Sequence, residues 1–164
     1  MLPMNASSTT SGTQEIKHCC AQLYESDIAK LLLGESFHPG GLKLTERLGS
    51  LLQLTAKSRV LDVASGTGAS ALFLVRHFGC QVFGIDFGGQ NVLRANDAAV
   101  RQDLATQVQF LQSDAERLSF ADASFDAVIC ECAFCTFPDK SAADFCDPET
   151  DDDDQSPSRA PRIS

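Results

Sequence analysis

Apolar and polar positions change their spacing along this chain, and each change marks an element. From about Gln14 to Leu33 apolar residues recur at helical spacing, with Cys20, Tyr24, Ile28 and Leu31 on one side. Gly34 reads as the cap of that helix, and Pro39-Gly40-Gly41 breaks the pattern. Leu42 to Leu54 predicts a second amphipathic helix. Short apolar runs then take over. Val60 to Val63, Cys80 to Ile85, Val108 to Leu111 and Phe125 to Cys130 each predict a strand. Helices are predicted between the first three, from Ala69 to Phe78 with Gly79 as its cap, and from Gly88-Gly89 to about Leu104. The third crossover, Asp114 to Ser124, has room for only a short one. Strands alternating with helices specify an α/β fold with a doubly wound parallel sheet, preceded by a helical N-terminal segment.

The ends of the chain lack this periodicity. Residues 1–13 are polar and Ser/Thr-rich and are expected to be a disordered lead-in; residues 141–164 are acidic and Pro/Ser-rich and are expected to be a disordered tail. Residues 14–140 make the folded domain, and 164 residues in all suit a single one. No apolar run approaches the length a bilayer requires, so no membrane partner is expected. The lead-in lacks the basic and apolar regions of a secretion signal, and seven cysteines, an odd count, point to free thiols in a reducing compartment. A cytoplasmic location follows. A net charge of -9 without a basic patch argues against nucleic acid and for a small-molecule substrate.

The chemistry gathers at the carboxyl ends of the predicted strands. Arg59-Val-Leu-Asp-Val-Ala-Ser-Gly-Thr-Gly68 is a buried strand running through a glycine turn into a helix, and Gly84-Ile-Asp86 ends the next strand on a carboxylate. That order builds a nucleotide-sized crevice. Gly66 and Gly68 let the backbone approach a ligand closely, and the helix amides beside them suit a carboxylate. Asp86, followed by Phe87, can hold both hydroxyls of a ribose. Asp114, with the backbone around Ala115, can hydrogen-bond an adenine amino group; alone, it also reads as a helix N-cap. Gly66-x-Gly68-x-x-Ala71 fits a dinucleotide pattern as well, which keeps an NAD-dependent oxidoreductase open. Asp62 separates the two, because a carboxylate at the lip of the turn repels a diphosphate and attracts an ammonium group.

With Ser113-Asp-Ala115 and Phe125-Asp-Ala-Val-Ile129, these motifs make residues 20 to 140 resemble the class I S-adenosylmethionine-dependent methyltransferases. The resemblance implies a Rossmann-like methyltransferase fold, S-adenosyl-L-methionine as cofactor and direct methyl transfer to a small acceptor. It assigns cofactor-binding roles to Asp62, Ala64, Gly66, Gly68, Asp86, Phe87, Asp114 and Ala115. Ala64 stands where the family often has glycine, a mild departure if the backbone there keeps a negative φ. Family members carry further strands after the fourth. The domain is therefore expected to be partial, incomplete at its C-terminal side, with its fourth strand exposed to a partner chain or to self-association. A truncated cofactor-binding module without activity is the alternative function.

Within the family, Cys132 to Lys140 looks like the arsenite-methyltransferase branch, which implies that Cys132 and Cys135 hold a thiol-bound metalloid such as arsenite as acceptor. Cys80 and Cys130 read as core. No resident metal is expected, since the C-x-C-x-x-C spacing lacks a paired partner. His38 reads either as a base or substrate gate, or as an ordinary loop histidine.

Overall fold

The computed structural model describes residues 15–19, 22, 41–118, 120–121, 123–131, 133 and 136–139. The expected lead-in and tail, Cys20, Tyr24, Gly34, His38, Cys132 and Cys135 lie outside the described residues. So does most of the predicted first helix, of which residues 15–19 are helical.

The order that follows is α1 (Gly41–Leu51), β1 (Arg59–Val63), α2 (Ala69–Phe78), β2 (Gln81–Asp86), α3 (Gly89–Arg101), β3 (Val108–Gln112), a single 3-10 turn (Ala115–Arg117) and β4 (Ala127–Ile129). The four strands are all parallel and lie in the order β3-β2-β1-β4. This is the α/β sheet that the alternating pattern predicts. The first two crossovers step from β1 in one direction, and the third returns to its other side. The direction reverses between β1 and β4, and in sheets of this kind ligands bind at that point, outside the carboxyl ends of the strands.

Alternation of side chains divides the core in two. Val60, Val82, Val108, Phe110, Ala127 and Ile129 face α2 and α3, which bury Ala71, Leu72, Leu74, Val75, Val92, Ala95 and Ala99 against them. Leu61, Val63 and Ile85 face the other way, onto Ala115, Leu118, Phe125 and Phe137. That second face is thinly covered among the described residues, and Leu111 and Phe120 beside it are exposed. Close approach on the first face sets one requirement. Phe110 lies against both Gly68 and Gly84, where a Cβ would collide with its ring. Asn96 of α3 then clasps the Phe110 peptide on β3, accepting from its N–H at 3.2 Å and donating to its carbonyl at 3.0 Å.

Two helices stop three residues before the sequence pattern suggests. α1 ends at Leu51 instead of Leu54, and α3 at Arg101 instead of Leu104. Gln53 and Asp103 adopt left-handed conformations, with φ of 53° and 56°. The next amides then reach back, Leu54 N to Gly49 O and Leu104 N to Ala99 O. This is the Schellman end, here without its usual glycine, and it tucks the two leucines under the helix they leave. No helix among the described residues is long and apolar enough to cross a membrane.

Candidate functional site

Three consecutive features build the crevice wall. β1 runs through Ala64, Ser65, Gly66, Thr67 and Gly68 into α2, and the turn closes with Gly68 N donating to Ser65 O at 2.9 Å. Ala64, Gly66 and Gly68 all have positive φ, 57°, 55° and 82°. For Ala64 the condition on which the departure from glycine would be mild, a negative φ, is not met. The turn needs a left-handed residue there, so the departure from glycine is a strained one. A Cβ on Gly66 would meet nothing within 4 Å, so this side of the turn opens on free space. α2 begins without a side-chain cap, and its first amides are available to an anion.

Asp86, at the end of β2, faces this turn. Its Oδ2 accepts from Gly66 N at 2.7 Å; its Oδ1 accepts from Gly88 N at 2.8 Å and from Asn91 Nδ2 at 3.3 Å. The carboxylate is thereby oriented before any ligand arrives. Phe87 follows it, and the His18 ring meets the Phe87 ring edge-on at 5.1 Å.

Asp62 lies deeper than the sequence suggests. It is buried rather than at the lip of the turn, with 2% of its surface exposed. Its Oδ2 is buried without a hydrogen-bond partner. Burial pushes its carboxyl well above the usual carboxylate range, and the charges of Glu131 and then Asp86 push it further. Asp62, Asp86 and Glu131 are thus one electrostatic group.

Asp114 has a different setting. Both its oxygens accept from Lys17 Nζ at 2.8 Å, and Oδ1 also accepts from Glu116 N at 3.0 Å, capping the 3-10 turn. The capping role weighed from sequence is therefore real, and Ala115 beside it packs on the second apolar cluster. Cys80 is fully buried with its thiol pushed up to about 11 by burial, a core residue as expected. Cys130 packs on the second apolar cluster, and Cys19 is exposed. Among the described residues, no group of three or more His, Cys, Asp or Glu is placed to hold a metal ion.

Sequence reasoning missed Lys17, Thr45, Ser70 and Glu131. The Glu131 carboxylate accepts from Thr45 Oγ1 at 3.2 and 3.0 Å and from Ser70 Oγ, tying α1 and the first turn of α2 to the end of β4. One signal was present. Glu131 is an acid just past a strand's carboxyl end, like the three acids that sequence reasoning selected, but it sits between two cysteines that draw attention first.

Comparison with known proteins agrees with this arrangement. The sequence profile of a family described as "Methyltransferase domain" matches residues 60–147. The chain is 35% identical over 115 residues to a 27-O-demethylrifamycin SV methyltransferase of Amycolatopsis mediterranei, covering 63% of this chain and 42% of that one. It is 38% identical over 103 residues to a demethylmenaquinone methyltransferase of Thermus thermophilus, covering 62% and 46%. A crystal structure of an S-adenosylmethionine-dependent methyltransferase from Thiobacillus denitrificans, in complex with S-adenosyl-L-homocysteine, superposes with a TM-score of 0.56 at 28% identity, covering 67% and 44%. The chain thus spans less than half the length of each of these proteins.

Proposed function

Because the chain belongs to the methyltransferase domain family, with S-adenosyl-L-methionine as the cofactor, we propose that its glycine turn binds that cofactor for methyl transfer to a small-molecule acceptor. The observation that carries this reading is Asp62 Oδ2, buried without a partner beneath a turn that opens on free space. A buried acid in that position calls for a cation, and a linked diphosphate brings the opposite charge.

The residues fit the cofactor part by part. Asp86, held by Gly66, Gly88 and Asn91, presents its carboxylate to the ribose hydroxyls. The uncapped start of α2 receives the methionine carboxylate. Asp62 takes the ammonium group. Phe87 and Ala115 border the adenine, and Asp114 reads its amino group while also holding Lys17. When bound, the cofactor supplies an electrophilic methyl group on a sulfonium. The chain's task is then to hold an acceptor atom in line with that methyl group and keep water out, a gain from proximity and orientation. The N-terminal helical turn contributes by lying over Phe87 and Asp114.

The acceptor is the narrower part of the proposal. A net charge of -9 favours a small molecule over nucleic acid. A thiol-bound metalloid such as arsenite rests on Cys132 and Cys135 alone, with His38 as a gate. The names of the two relatives, a demethylrifamycin and a demethylmenaquinone methyltransferase, carry other acceptors. A cytoplasmic location belongs to the same reading. β4 pairs with β1 on one side, and its other edge is the place for a further strand from a partner or a second copy.

Calorimetric titration of the full chain with S-adenosyl-L-homocysteine tests the cofactor site. Saturable binding that disappears in Asp86→Ala is expected; binding of NADH with none of S-adenosyl-L-homocysteine would overturn it. Turnover assays on candidate acceptors then separate an enzyme from a cofactor-binding module without activity.

A further inference from the structure

The glycines around the turn serve two purposes. Beside Gly66 the space is open, whereas at Gly68 and Gly84 it is filled by one edge of the Phe110 ring. A Cβ on Gly68 would lie 2.6 Å from the ring's Cζ and 3.1 Å from Cβ of Ala95, and a Cβ on Gly84 would meet the same ring edge. Phe110 is buried on β3 as the register partner of Gly84. Its ring therefore lies across Gly84 of β2 and reaches Gly68, the residue from which α2 starts. The earlier part of the turn is tied to β2 alone, Ser65 N donating to Ile85 O at 2.9 Å and Gly66 N to Asp86 Oδ2 at 2.7 Å. Gly68 is braced from β3 and α3 instead. The brace is itself locked. Asn96 accepts from Phe110 N and donates to Phe110 O, and its Nδ2 also donates to Val92 O at 3.1 Å, which fixes the amide to its own helix. A peptide clasped on both groups fixes the direction in which its side chain leaves the backbone.

We propose that Phe110, locked by Asn96, is a positioning residue for the cofactor site: it sets where Gly68 starts α2, and so where the first amides of that helix point. The proposal rests on the methyl-donor reading above. Close packing transmits a shift of the ring to the turn. A site held slightly out of place loses affinity without losing the fold.

The test sets Phe110→Leu, whose shorter side chain does not reach Gly68, against Val108→Ala. The second variant removes two methyl groups from the same core at the amino end of β3, away from the turn. Calorimetric titration with S-adenosyl-L-homocysteine should show Phe110→Leu at least about fivefold weaker than wild type and Val108→Ala within about twofold. Both variants lose core packing, so a merely structural Phe110 predicts no difference between them. A smaller loss in Phe110→Leu, or an equal one in Val108→Ala, overturns the proposal. Asn96→Ala serves if Phe110→Leu does not fold, because it keeps every core side chain and places the best helix former in α3. It should weaken the same ligand at least about threefold. It should also speed hydrogen exchange at the amides of Gly66 and Gly68 while leaving β1 and β2 unchanged. Unchanged affinity and unchanged exchange at the turn overturn the proposal. A wild-type chain that fails to bind S-adenosyl-L-homocysteine refutes the methyl-donor reading instead, and the exchange measurement, which needs no ligand, still judges the brace.

Discussion

Lys17 and Asp114, 97 positions apart, meet in a two-pronged contact in which Nζ lies 2.8 Å from each carboxylate oxygen. Glu116 Oε2 approaches the same ammonium at 2.5 Å. This pairing holds the N-terminal helical turn on the carboxyl edge of the sheet, where His18 also meets Phe87. Burial alone would lower the Lys17 ammonium. Its hydrogen bonds to Asp114 and Glu116, together with their charges, outweigh burial and raise it above the ordinary 10.5. A raised lysine contributes stability that is fully present below 10.5 and is lost as pH rises through the higher folded value. The latch therefore holds across the neutral range.

Lys17→Met keeps the aliphatic length and removes the charge, leaving two carboxylates short of their shared donor. A loss of about 2 kcal/mol is expected, with faster hydrogen exchange confined to residues 15–19 at first. Exchange measured by mass spectrometry checks it. An unchanged rate in that segment would mean that Lys17 is not what anchors it.

Asp62 poses the opposite case. An acid whose folded pKa is raised binds protons more readily in the folded state than in the unfolded one, so the free chain loses stability as pH climbs from 3.8 towards the folded value. Asp62→Asn removes that penalty while keeping the shape. The variant should melt several degrees higher than wild type at neutral pH and bind S-adenosyl-L-homocysteine much more weakly. Thermal melts at pH 5 and pH 8, with and without ligand, check both halves. Wild type should show the steeper decline between the two pH values, and ligand should narrow the difference.

The fold was legible because its signals are local. Val60 to Val63, the Gly66 and Gly68 turn and Gly84-Ile-Asp86 each announce their element within a few residues, and the parallel order follows from alternation. Helix ends set by Gln53 and Asp103 were not legible, since neither residue is the glycine that usually marks such a stop. The site divides in the same way. Asp86 was readable as the carboxylate that ends a strand, and it does end β2. The depth of Asp62 and the company of Glu131 depend on which strands become neighbours. The Lys17 pairing depends on a separation that no periodicity encodes. Long-range electrostatics is thus what a single sequence hides, and at this site it is most of the chemistry.

Ala64 gives a stability prediction with a definite sign. Its φ of 57° lies in the region that a Cβ disfavours, at the junction of β1 and the glycine turn. Left-handed strain on an L-residue is about 1–2 kcal/mol, and glycine relieves it at an entropic cost of about 0.4–1 kcal/mol. Ala64→Gly should therefore stabilise the chain by about 0.5–1 kcal/mol. Ala64→Val, with a branched side chain in the same conformation, should lower stability instead. Denaturant midpoints of the three proteins give the ranking directly, and a ranking with valine above alanine would contradict the observed backbone.

Cys80 and Cys19 differ in exposure, and thiol labelling should separate them. Cys80 is wholly buried in the core beside β2, and its thiol is pushed up to about 11, so almost none of it is thiolate at pH 8. Cys19 is exposed on the N-terminal helical turn. Iodoacetamide at pH 8 should modify Cys19 readily and spare Cys80 until the sheet unfolds. Peptide mass spectrometry across a denaturant series should show Cys80 labelling rise with the global transition. Coupled to the Lys17→Met variant, the same labelling tests whether the N-terminal latch and the core behave as separate units. If they do, opening the latch leaves Cys80 protected. If Cys80 labels as soon as the latch is lost, the ion pair supports the whole sheet and not only the edge of the crevice.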